Sequence, residues 1–342
     1  MTKLSIIFPV YNVEKYVRSS FESIFKQGLD DTDFEVIVVN DGTQDRSMEI
    51  IDDLIRQHDN ITVINQENQG LSVARNNGIE LAKGEYVLMP DSDDMLIDNS
   101  LKPLLKKAIE TKVDLLVADF VEIEDTDMEN APSICQKTLE FKEKNGEKLL
   151  LEDLNPNQCY VWRTLFRTDF IRHHHLKFVP GVVYQDVPFT HAAYINAERC
   201  LRTSWKLNIY RRERLDSATY SFNKKKAMDF CIVIGKTWEL TSNNKTKSNM
   251  IKKIKDDVFI SFQMLNCNTT HSIKDRLVRY EIIDYLRKIA PDIKFKNGAK
   301  QQIVSLLFRK MPHTYVQLRY LYGIIIEDMI YPFYKHKIKN NN

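Results

Sequence analysis

Cysteine is scarce in this sequence, and its placement suits neither a disulfide framework nor a zinc site. The five cysteines are odd in number, form no Cys-x-x-Cys pair and lie far apart, at Cys135, Cys159, Cys200, Cys231 and Cys267. Disulfide scaffolds and zinc ribbons need paired or closely spaced cysteines. The sequence therefore argues against both classes and favours a reducing compartment such as the cytoplasm.

Long hydrophobic runs are also missing. The apolar run at residues 4–10 is short for a signal core, and no small-residue cleavage site follows it. Near the C-terminus, the apolar stretch 320–334 is interrupted by Glu327, Asp328 and Pro332. A spanning helix needs about 20 predominantly apolar residues. We expect a cytoplasmic protein, either soluble or peripheral at the inner face of the membrane.

Glycine-rich phosphate loops are the third absence. No Gly-x-Gly-x-x-Gly follows the first predicted strand, and no Gly-x-x-x-x-Gly-Lys occurs anywhere in the chain. Those glycines allow a pyrophosphate to approach the backbone closely. A nicotinamide-dependent enzyme and a P-loop enzyme are therefore both rejected.

Charge is present but unevenly distributed. Residues 224–342 hold 23 Lys or Arg against 10 Asp or Glu, a formal charge of +13, whereas the rest of the chain carries −11. A basic half can bind an anionic partner, although lysine-rich helices facing solvent are the commoner explanation. An anionic membrane surface is one candidate partner, because basic residues follow aromatic ones near the end of the chain, at Tyr331, Phe333, Tyr334, Lys335, His336, Lys337 and Lys339.

Strand and helix patterns alternate through the first part of the chain, which predicts an open α/β sheet. Nearly continuous apolar runs predict strands at residues 4–10, 34–40, 61–65, 86–89 and 114–120. Amphipathic runs predict helices at residues 14–26, 45–58, 71–81 and 100–111. The acidic segment 122–129 resembles a loop, and the later segments predict a strand at 207–210 and a helix from Pro188. Periodic apolar positions after Asn223 predict a helical appendage, so we expect domains at 1–222 and 223–342.

A cluster of carboxylates follows the fourth predicted strand. Residues 86–95 read Tyr-Val-Leu-Met-Pro-Asp-Ser-Asp-Asp-Met, which places Asp91, Asp93 and Asp94 directly past an apolar run. Such carboxylates repel one another unless a cation or several donors offset the charge. Hard cations of the magnesium type take oxygen ligands of this kind, often together with nucleotide phosphates. A turn whose aspartates cap the next helix is an equally good interpretation of the cluster alone.

Three polar clusters are expected to meet at one edge of the sheet. In open α/β sheets, ligands bind outside the carboxyl ends of the strands. Tyr11-Asn12, Asn40-Asp41-Gly42 and residues 91–94 all follow predicted strands. They would line one crevice.

Four motifs in this order resemble the inverting family 2 glycosyltransferases. They are Ser-Ile-Ile-Phe-Pro-Val-Tyr-Asn at 5–12, Val-Val-Asn-Asp-Gly-Thr at 38–43, Asn-Gln-Gly-Leu-Ser-Val-Ala-Arg-Asn at 68–76 and Asp-Ser-Asp-Asp at 91–94. The resemblance implies the GT-A fold of the nucleotide-diphospho-sugar transferases, a Rossmann-like mixed sheet flanked by helices. It also implies a divalent metal, Mn or Mg, that stabilises charge on the leaving diphosphate.

The resemblance also assigns roles in donor binding. It implies that Pro9, Tyr11 and Asp41 hold the nucleotide base, that Asp91 contacts ribose or metal, and that Asp93 is the chief metal ligand. Arg75 would lie close enough to steer phosphate, with an exposed helix arginine as the alternative. The family's arginine-rich turn matches residues 210–217, which implies Arg212 or Arg214 near the phosphates.

Asp186 is the residue matched to the catalytic base. The family usually has a Glu-Asp pair at this place, and here Gln185 replaces the glutamate. One carboxylate suffices to take the acceptor proton in a single inverting displacement. The alternative is an aspartate that caps the helix beginning at Pro188.

Together these features predict an inverting glycosyltransferase of polysaccharide biosynthesis. The donor would be a nucleoside-diphosphate sugar, with UDP favoured, and the acceptor a hydroxyl of a glycan or lipid-linked oligosaccharide; no nucleic-acid partner is expected. A non-catalytic protein that binds a nucleotide sugar and scaffolds other enzymes is the alternative. A nucleotidyltransferase is less favoured, because that class needs a glycine-rich basic loop after the first strand.

Overall fold

The computed structural model describes residues 2–125, 136, 138–212, 221–242, 246–295 and 298–324. The chain divides into two units. The first comprises residues 1–181 and 185–220, and the second comprises residues 182–184 and 221–342.

The apolar runs form the central strands of the first unit. β1 (Leu4–Val10) is buried at all seven positions and lies parallel between β2 (Phe34–Asn40) and β4 (Tyr86–Leu88). β3 (Ile61–Asn65) pairs parallel with β2. Strands covered on both faces bury every side chain, which explains why β1 and β2 show no alternation of polar and apolar residues.

Pro9 is accommodated because of where it lies in β1. The carbonyl of Val10 accepts the backbone N–H of Asp41 on the β2 side, so the nitrogen of Pro9 faces the other side. There β4 pairs only with Leu4, Ser5 and Ile6. The missing N–H of proline therefore removes no bond from the sheet.

The sheet continues beyond β4 with strands of mixed direction. In the described residues it has nine strands, in the order β3-β2-β1-β4-β8-β6-β9-β5, with β7 also paired to β9. β6 and β9 are parallel, whereas β8 is antiparallel to both β4 and β6. The additional strands are β5 (Met95–Leu96), β6 (Leu115–Glu124), β7 (Lys142–Lys144), β8 (Thr164–Arg167) and β9 (Cys200–Arg212).

Helices cover the sheet with their apolar stripes. Phe21 and Ile24 of the first helix and Leu104 and Leu105 of the fourth belong to the same buried cluster as β1, β2 and β4. The helices of this unit are α1 (Val17–Phe25), α2 (Ser47–Gln57), α3 (Leu71–Leu81), α4 (Leu101–Thr111), α5 (Gly146–Lys148), α6 (Thr168–His173) and α7 (Asp186–Asn196). A π-helical turn, Leu149–Asp153, continues α5, and a 3₁₀ turn, Val161–Arg163, precedes β8.

The second unit is helical in its described part, as the periodicity predicts. Its core contains Phe262, whose ring lies 5.3 Å from Phe295 and 5.2 Å from Phe308. No helix in the described residues is long and apolar enough to cross a bilayer. Its helices are α8 (Lys224–Glu239), α9 (Ser248–Ser272), α10 (Arg276–Ile289), α11 (Ala299–Lys310) and α12 (Pro312–Ile324).

Several predicted boundaries were wrong, including the start of the first helix, which begins at Val17 instead of residue 14. β6 runs to Glu124, so the first part of the expected acidic loop 122–129 is strand. Arginines of β9 neutralise the acidic side chains of this segment. Arg212 pairs with Glu122 at 3.0 Å, and Arg211 pairs with Asp125 at 2.6 Å. The predicted strand 207–210 is the end of the much longer β9, and α7 begins at Asp186 instead of Pro188.

Candidate active site

The polar residues after β1 and β2 are hydrogen-bonded to each other. The backbone N–H of Asn12 donates to Thr43 Oγ1 at 2.8 Å, and the backbone N–H of Gln44 donates to Asn12 Oδ1 at 2.9 Å. The side chain of Tyr11 is 43% exposed beside them. The structure therefore places Tyr11 at the carboxyl edge, accessible to a ligand.

Asp41 lies at this edge but is only 2% exposed, and its carboxylate holds the turn before α3. Oδ1 accepts the Gln69 backbone N–H at 2.8 Å and the Gln66 amide at 2.8 Å, and Oδ2 accepts the Gly70 backbone N–H at 2.9 Å. A carboxylate has about four acceptor positions. Three of these positions are taken by the turn before α3, and the contact of Asp41 with a nucleotide base stays a prediction.

The three carboxylates past β4 converge as the sequence predicts. Oxygens of Asp91, Asp93 and Asp94 lie within 4.8 Å of one another. Asp94 is 3% exposed, and its Oδ1 accepts the backbone N–H of Arg211 at 2.8 Å. Its Oδ2 is buried and has no hydrogen-bond partner among the described residues.

These carboxylates fit a divalent cation. Burial raises the pKa of Asp94 well above its usual range, and the neighbouring charges of Asp93 and Asp91 raise it further. A hard cation would both satisfy the orphaned Oδ2 and relieve this repulsion. Asp93 and Asp91 were the predicted ligands, and the geometry adds Asp94 as a third. The orphaned Oδ2 supports this assignment, whereas the sequence leaves a helix cap as an equal alternative for the whole cluster.

We expect metal affinity to fall with pH below neutrality. Burial raises the pKa of Asp91 to about 7; Arg75 opposes this rise, whereas Asp93 and Asp186 add to it. Below that pH the cation must displace a proton, so its apparent affinity should drop by up to about tenfold per pH unit. Above pH 7 the contribution of Asp91 to this dependence should level off. Titration with Mn²⁺ between pH 5.5 and 8 measures this, and a flat profile would contradict it.

Arg75 is fully buried and joins the carboxylate cluster to the predicted base. Its Nη2 donates to Asp91 Oδ1 at 2.5 Å and its Nη1 to Asp186 Oδ1 at 2.8 Å. Its guanidinium also lies 5.3 Å from the ring centroid of Phe178. The alternative of an exposed helix arginine is therefore wrong. Its contact with phosphate stays a prediction.

Replacing this arginine tests the bridge. Arg75→Lys keeps the charge but loses the rigid fork that serves two carboxylates, so it should lose one charged hydrogen bond. We expect the free energy of unfolding to fall by about 2 kcal/mol, measured by urea denaturation. Arg18→Lys is the matched control, because Arg18 pairs with Asp53 on the surface and its substitution should change nothing measurable.

Asp186 is held by several donors at the start of α7. It accepts from Arg75, from Gln185 Nε2 at 3.1 Å and from the backbone N–H of Val161. Burial raises its pKa, and these donors lower it. The side chain is thus oriented by contacts outside a helix cap. Gln185, 6% exposed, supplies a donor where glutamate would add a second buried charge.

Arg211, which is not among the arginines predicted from the sequence, is the one that contacts the carboxylate cluster. Its Nε donates to the backbone carbonyl of Asp93 at 3.0 Å, and its guanidinium lies 4.6 Å from the Tyr16 ring centroid. Arg212 points elsewhere and pairs with Glu122. Arg214 lies outside the described residues. Strand alternation along residues 210–212 is the signal that separates Arg211 from Arg212.

The family model described as Glycosyl transferase family 2 matches residues 5–172. This segment holds Tyr11, Asp41, Arg75 and the carboxylate cluster. This part of the chain is therefore similar to glycosyl transferase family 2. Asp186 and Arg211 lie beyond the matched residues, so their roles rest on the geometry.

Curated proteins similar to this chain are named glycosyltransferases. The uncharacterized glycosyltransferase EpsJ of Bacillus subtilis is 35% identical over 228 residues, which cover 66% of this chain and 65% of EpsJ. TarS of Staphylococcus aureus, a poly(ribitol-phosphate) beta-N-acetylglucosaminyltransferase, is 32% identical over 63% of this chain and 36% of its own length. Across the first three curated relatives, the chain spans 65%, 50% and 61% of their lengths.

Solved structures establish the fold. TarS 1–349 in complex with UDP-GlcNAc matches with a TM-score of 0.71 at 19% identity, covering 93% of this chain and 90% of that one. The mannosyltransferase PcManGT from Pyrobaculum calidifontis, solved with GDP-Man and Mn²⁺, matches with a TM-score of 0.54 at 14% identity, covering 96% and 87%. The predicted GT-A fold, a mixed sheet flanked by helices with a helical C-terminal region, is confirmed.

Proposed function

We propose that the protein is a metal-dependent, inverting glycosyltransferase that moves a sugar from a nucleoside diphosphate to a hydroxyl group in polysaccharide biosynthesis. One observation carries the proposal: a single buried guanidinium, that of Arg75, joins the carboxylate cluster to Asp186. Donor activation and acceptor deprotonation need neighbouring groups, and this bridge fixes them side by side.

The donor would bind along the edge from β2 to β4. Tyr11 and Asp41 would hold the base beside Pro9, and Asp91, Asp93 and Asp94 would hold the cation. A divalent cation, Mn²⁺ or Mg²⁺, supplies charge stabilisation to the departing diphosphate. UDP is the favoured nucleotide, which the UDP-GlcNAc complex of TarS supports.

Asp186 would take the acceptor proton. Burial raises the pKa of this carboxylate, and a general base works best when its pKa lies near the working pH. Arg75, Gln185 and the Val161 backbone N–H would keep one oxygen oriented. Attack from the face opposite the diphosphate then inverts the anomeric carbon in one displacement.

A donor panel tests the proposed function. Nucleotide release from UDP-GlcNAc, UDP-glucose, UDP-galactose and GDP-mannose should require Mn²⁺ or Mg²⁺ and should stop with a chelator. One donor should be preferred. Metal-dependent binding without any turnover would favour the non-catalytic scaffold, and no nucleotide binding at all would contradict both interpretations.

We also propose a peripheral association of the second unit with an anionic membrane surface, where a lipid-linked oligosaccharide acceptor would be held. The formal charge of +13 over residues 224–342 supports it. The aromatic and basic residues 331–339 that motivate the idea lie outside the described residues. Sedimentation with phosphatidylglycerol vesicles at low salt tests it, and full-length protein left in the supernatant would contradict it.

A further inference from the structure

Four aromatic side chains of the first unit pack into one cluster, here called the aromatic platform: Phe120, Tyr160, Trp162 and Tyr210. The ring centroids of three of them form a triangle: Trp162 lies 4.8 Å from Tyr160 and 5.6 Å from Tyr210, and the two tyrosines lie 5.4 Å apart. The Trp162 ring makes angles of 14° with Tyr160 and 27° with Tyr210, and the two tyrosine rings are tilted by 41°. Phe120 meets all three rings edge-on, at 82° to 86°. Stacked and edge-to-face contacts fix the ring planes.

The platform is partly buried and partly exposed. Trp162 is 2% exposed, and the guanidinium of Arg163 lies 5.7 Å from the Phe120 ring centroid. Phe120, Tyr160 and Tyr210 are each partly exposed. Three rigid rings with accessible surface cost little conformational entropy when a ligand binds to them.

The backbone next to two platform residues contacts the proposed catalytic and metal-binding carboxylates. Val161, between Tyr160 and Trp162, donates its backbone N–H to Asp186. Arg211, next to Tyr210, donates its backbone N–H to Asp94. The charges of Asp94, Asp93 and Asp91, after burial and Tyr160, contribute to a raised pKa of the Tyr210 hydroxyl. The rings therefore border the space between base and carboxylate cluster.

The sheet order places the platform on the side away from the expected nucleotide. Asp41 follows β2 and the carboxylates follow β4, whereas Phe120 and Tyr210 lie on β6 and β9, beyond β4 and β8. A donor extended from Asp41 to the cluster would leave the platform uncovered. The acceptor would therefore bind on the side of the site where the platform lies.

Polar groups border the rings. The hydroxyls of Tyr160 and Tyr210 hydrogen-bond to each other. The Glu122–Arg212 ion pair, at 3.0 Å, acts on the same Tyr160 hydroxyl. Sugar rings present C–H groups on a face and hydroxyls on the rim. The negative face of an aromatic ring attracts the C–H groups of a sugar. Charged donors and acceptors form hydrogen bonds with the sugar hydroxyls.

We propose that the aromatic platform is the acceptor subsite and binds the pyranose ring of an acceptor sugar, with Tyr160 as the stacking residue. This inference rests on the proposed function, since it names the acceptor for the same centre. It predicts that the acceptor is a cyclic sugar, not a linear polyol phosphate. Tyr160 would hold the attacking hydroxyl beside Asp186.

Saturation-transfer NMR of the full chain with UDP and Mg²⁺ tests this. The probes are the methyl β-pyranosides of glucose, galactose and N-acetylglucosamine, with ribitol 5-phosphate as the linear contrast. We expect the preferred pyranoside to bind about tenfold more weakly to Tyr160→Leu, equivalent to about 1.4 kcal/mol. Tyr160→Phe should bind it normally. Phe141→Leu is the control, a partly buried aromatic that packs elsewhere on the core.

A second readout does not depend on the folding of the leucine variant. The preferred pyranoside should change the tryptophan fluorescence of the wild type, and Trp162→Phe should abolish this change. Affinity for UDP with Mg²⁺ should stay the same in every variant. Three results would contradict the acceptor subsite but not the proposed function. They are equal pyranoside affinity in folded Tyr160→Leu, no pyranoside binding to the UDP-bound wild type, and preferred binding of ribitol 5-phosphate. A wild type that binds no UDP with metal would overturn the proposed function itself.

Discussion

Asp186→Asn is expected to keep donor binding and to lose sugar transfer by about a hundredfold to ten-thousandfold. The amide has nearly the same shape and can still accept from Arg75, Gln185 and the Val161 backbone, so the site should stay assembled. It cannot take the acceptor proton. A base that acts only on the acceptor contributes to the transition state and little to donor affinity. Transfer rates and UDP calorimetry, measured on the same preparation, separate the two effects.

The matched control for this substitution is Asp169→Asn. Asp169 is also an aspartate in the first turn of a helix, α6, and it is exposed. If the role of Asp186 were only to favour the helix start, both substitutions should be nearly neutral, since asparagine is well tolerated there. Near-normal transfer by Asp186→Asn with a true acceptor would show that another residue is the base. Asp94 would be the next carboxylate to examine.

Asp93→Ala is expected to abolish metal-dependent donor binding, with a loss of at least about a hundredfold in affinity for UDP with Mn²⁺. The fold should survive, because Asp93 lies in the loop after β4 and its side chain is not part of the apolar core. Removing one of three crowded carboxylates relieves repulsion in the metal-free protein. Its thermal stability should therefore not fall. Calorimetry with UDP, with and without Mn²⁺, measures the loss.

Asp98→Ala controls for the removal of one acidic charge near the same loop. Asp98 is exposed, a few residues past the cluster, so its loss should leave metal-dependent binding intact. Undiminished metal dependence in Asp93→Ala would show that the ligand assignment is wrong. Equal losses in both variants would point to a general effect of charge.

The strands and motif positions were predictable because they depend on local pattern. β2 and β3 have the predicted bounds, because a largely apolar run bounded by polar turns indicates a buried strand. The carboxyl-edge rule then brings Tyr11, Asp41 and Asp91 together without knowledge of the rest of the chain.

The pairing between distant segments was not predictable in this way. Arg75 and Asp186 are 111 positions apart, and no periodicity links a residue of α3 to the first residue of α7. The length of β9 was also hidden, because its register against β6 shifts between Val117 and Phe120 and breaks the alternation. The pairing of β9 with β5, which joins Met95 to Ile209, brings Arg211 to Asp93 and Asp94.

The most direct test of the central claim is anomalous diffraction from crystals soaked with UDP and Mn²⁺. A single manganese peak should lie among the carboxylates of Asp91, Asp93 and Asp94, with the diphosphate on it and the base beside Tyr11 and Asp41. Asp186 should stay bonded to Arg75 and face the open side of the site. A manganese peak away from these carboxylates, or UDP bound elsewhere on the chain, would contradict the account.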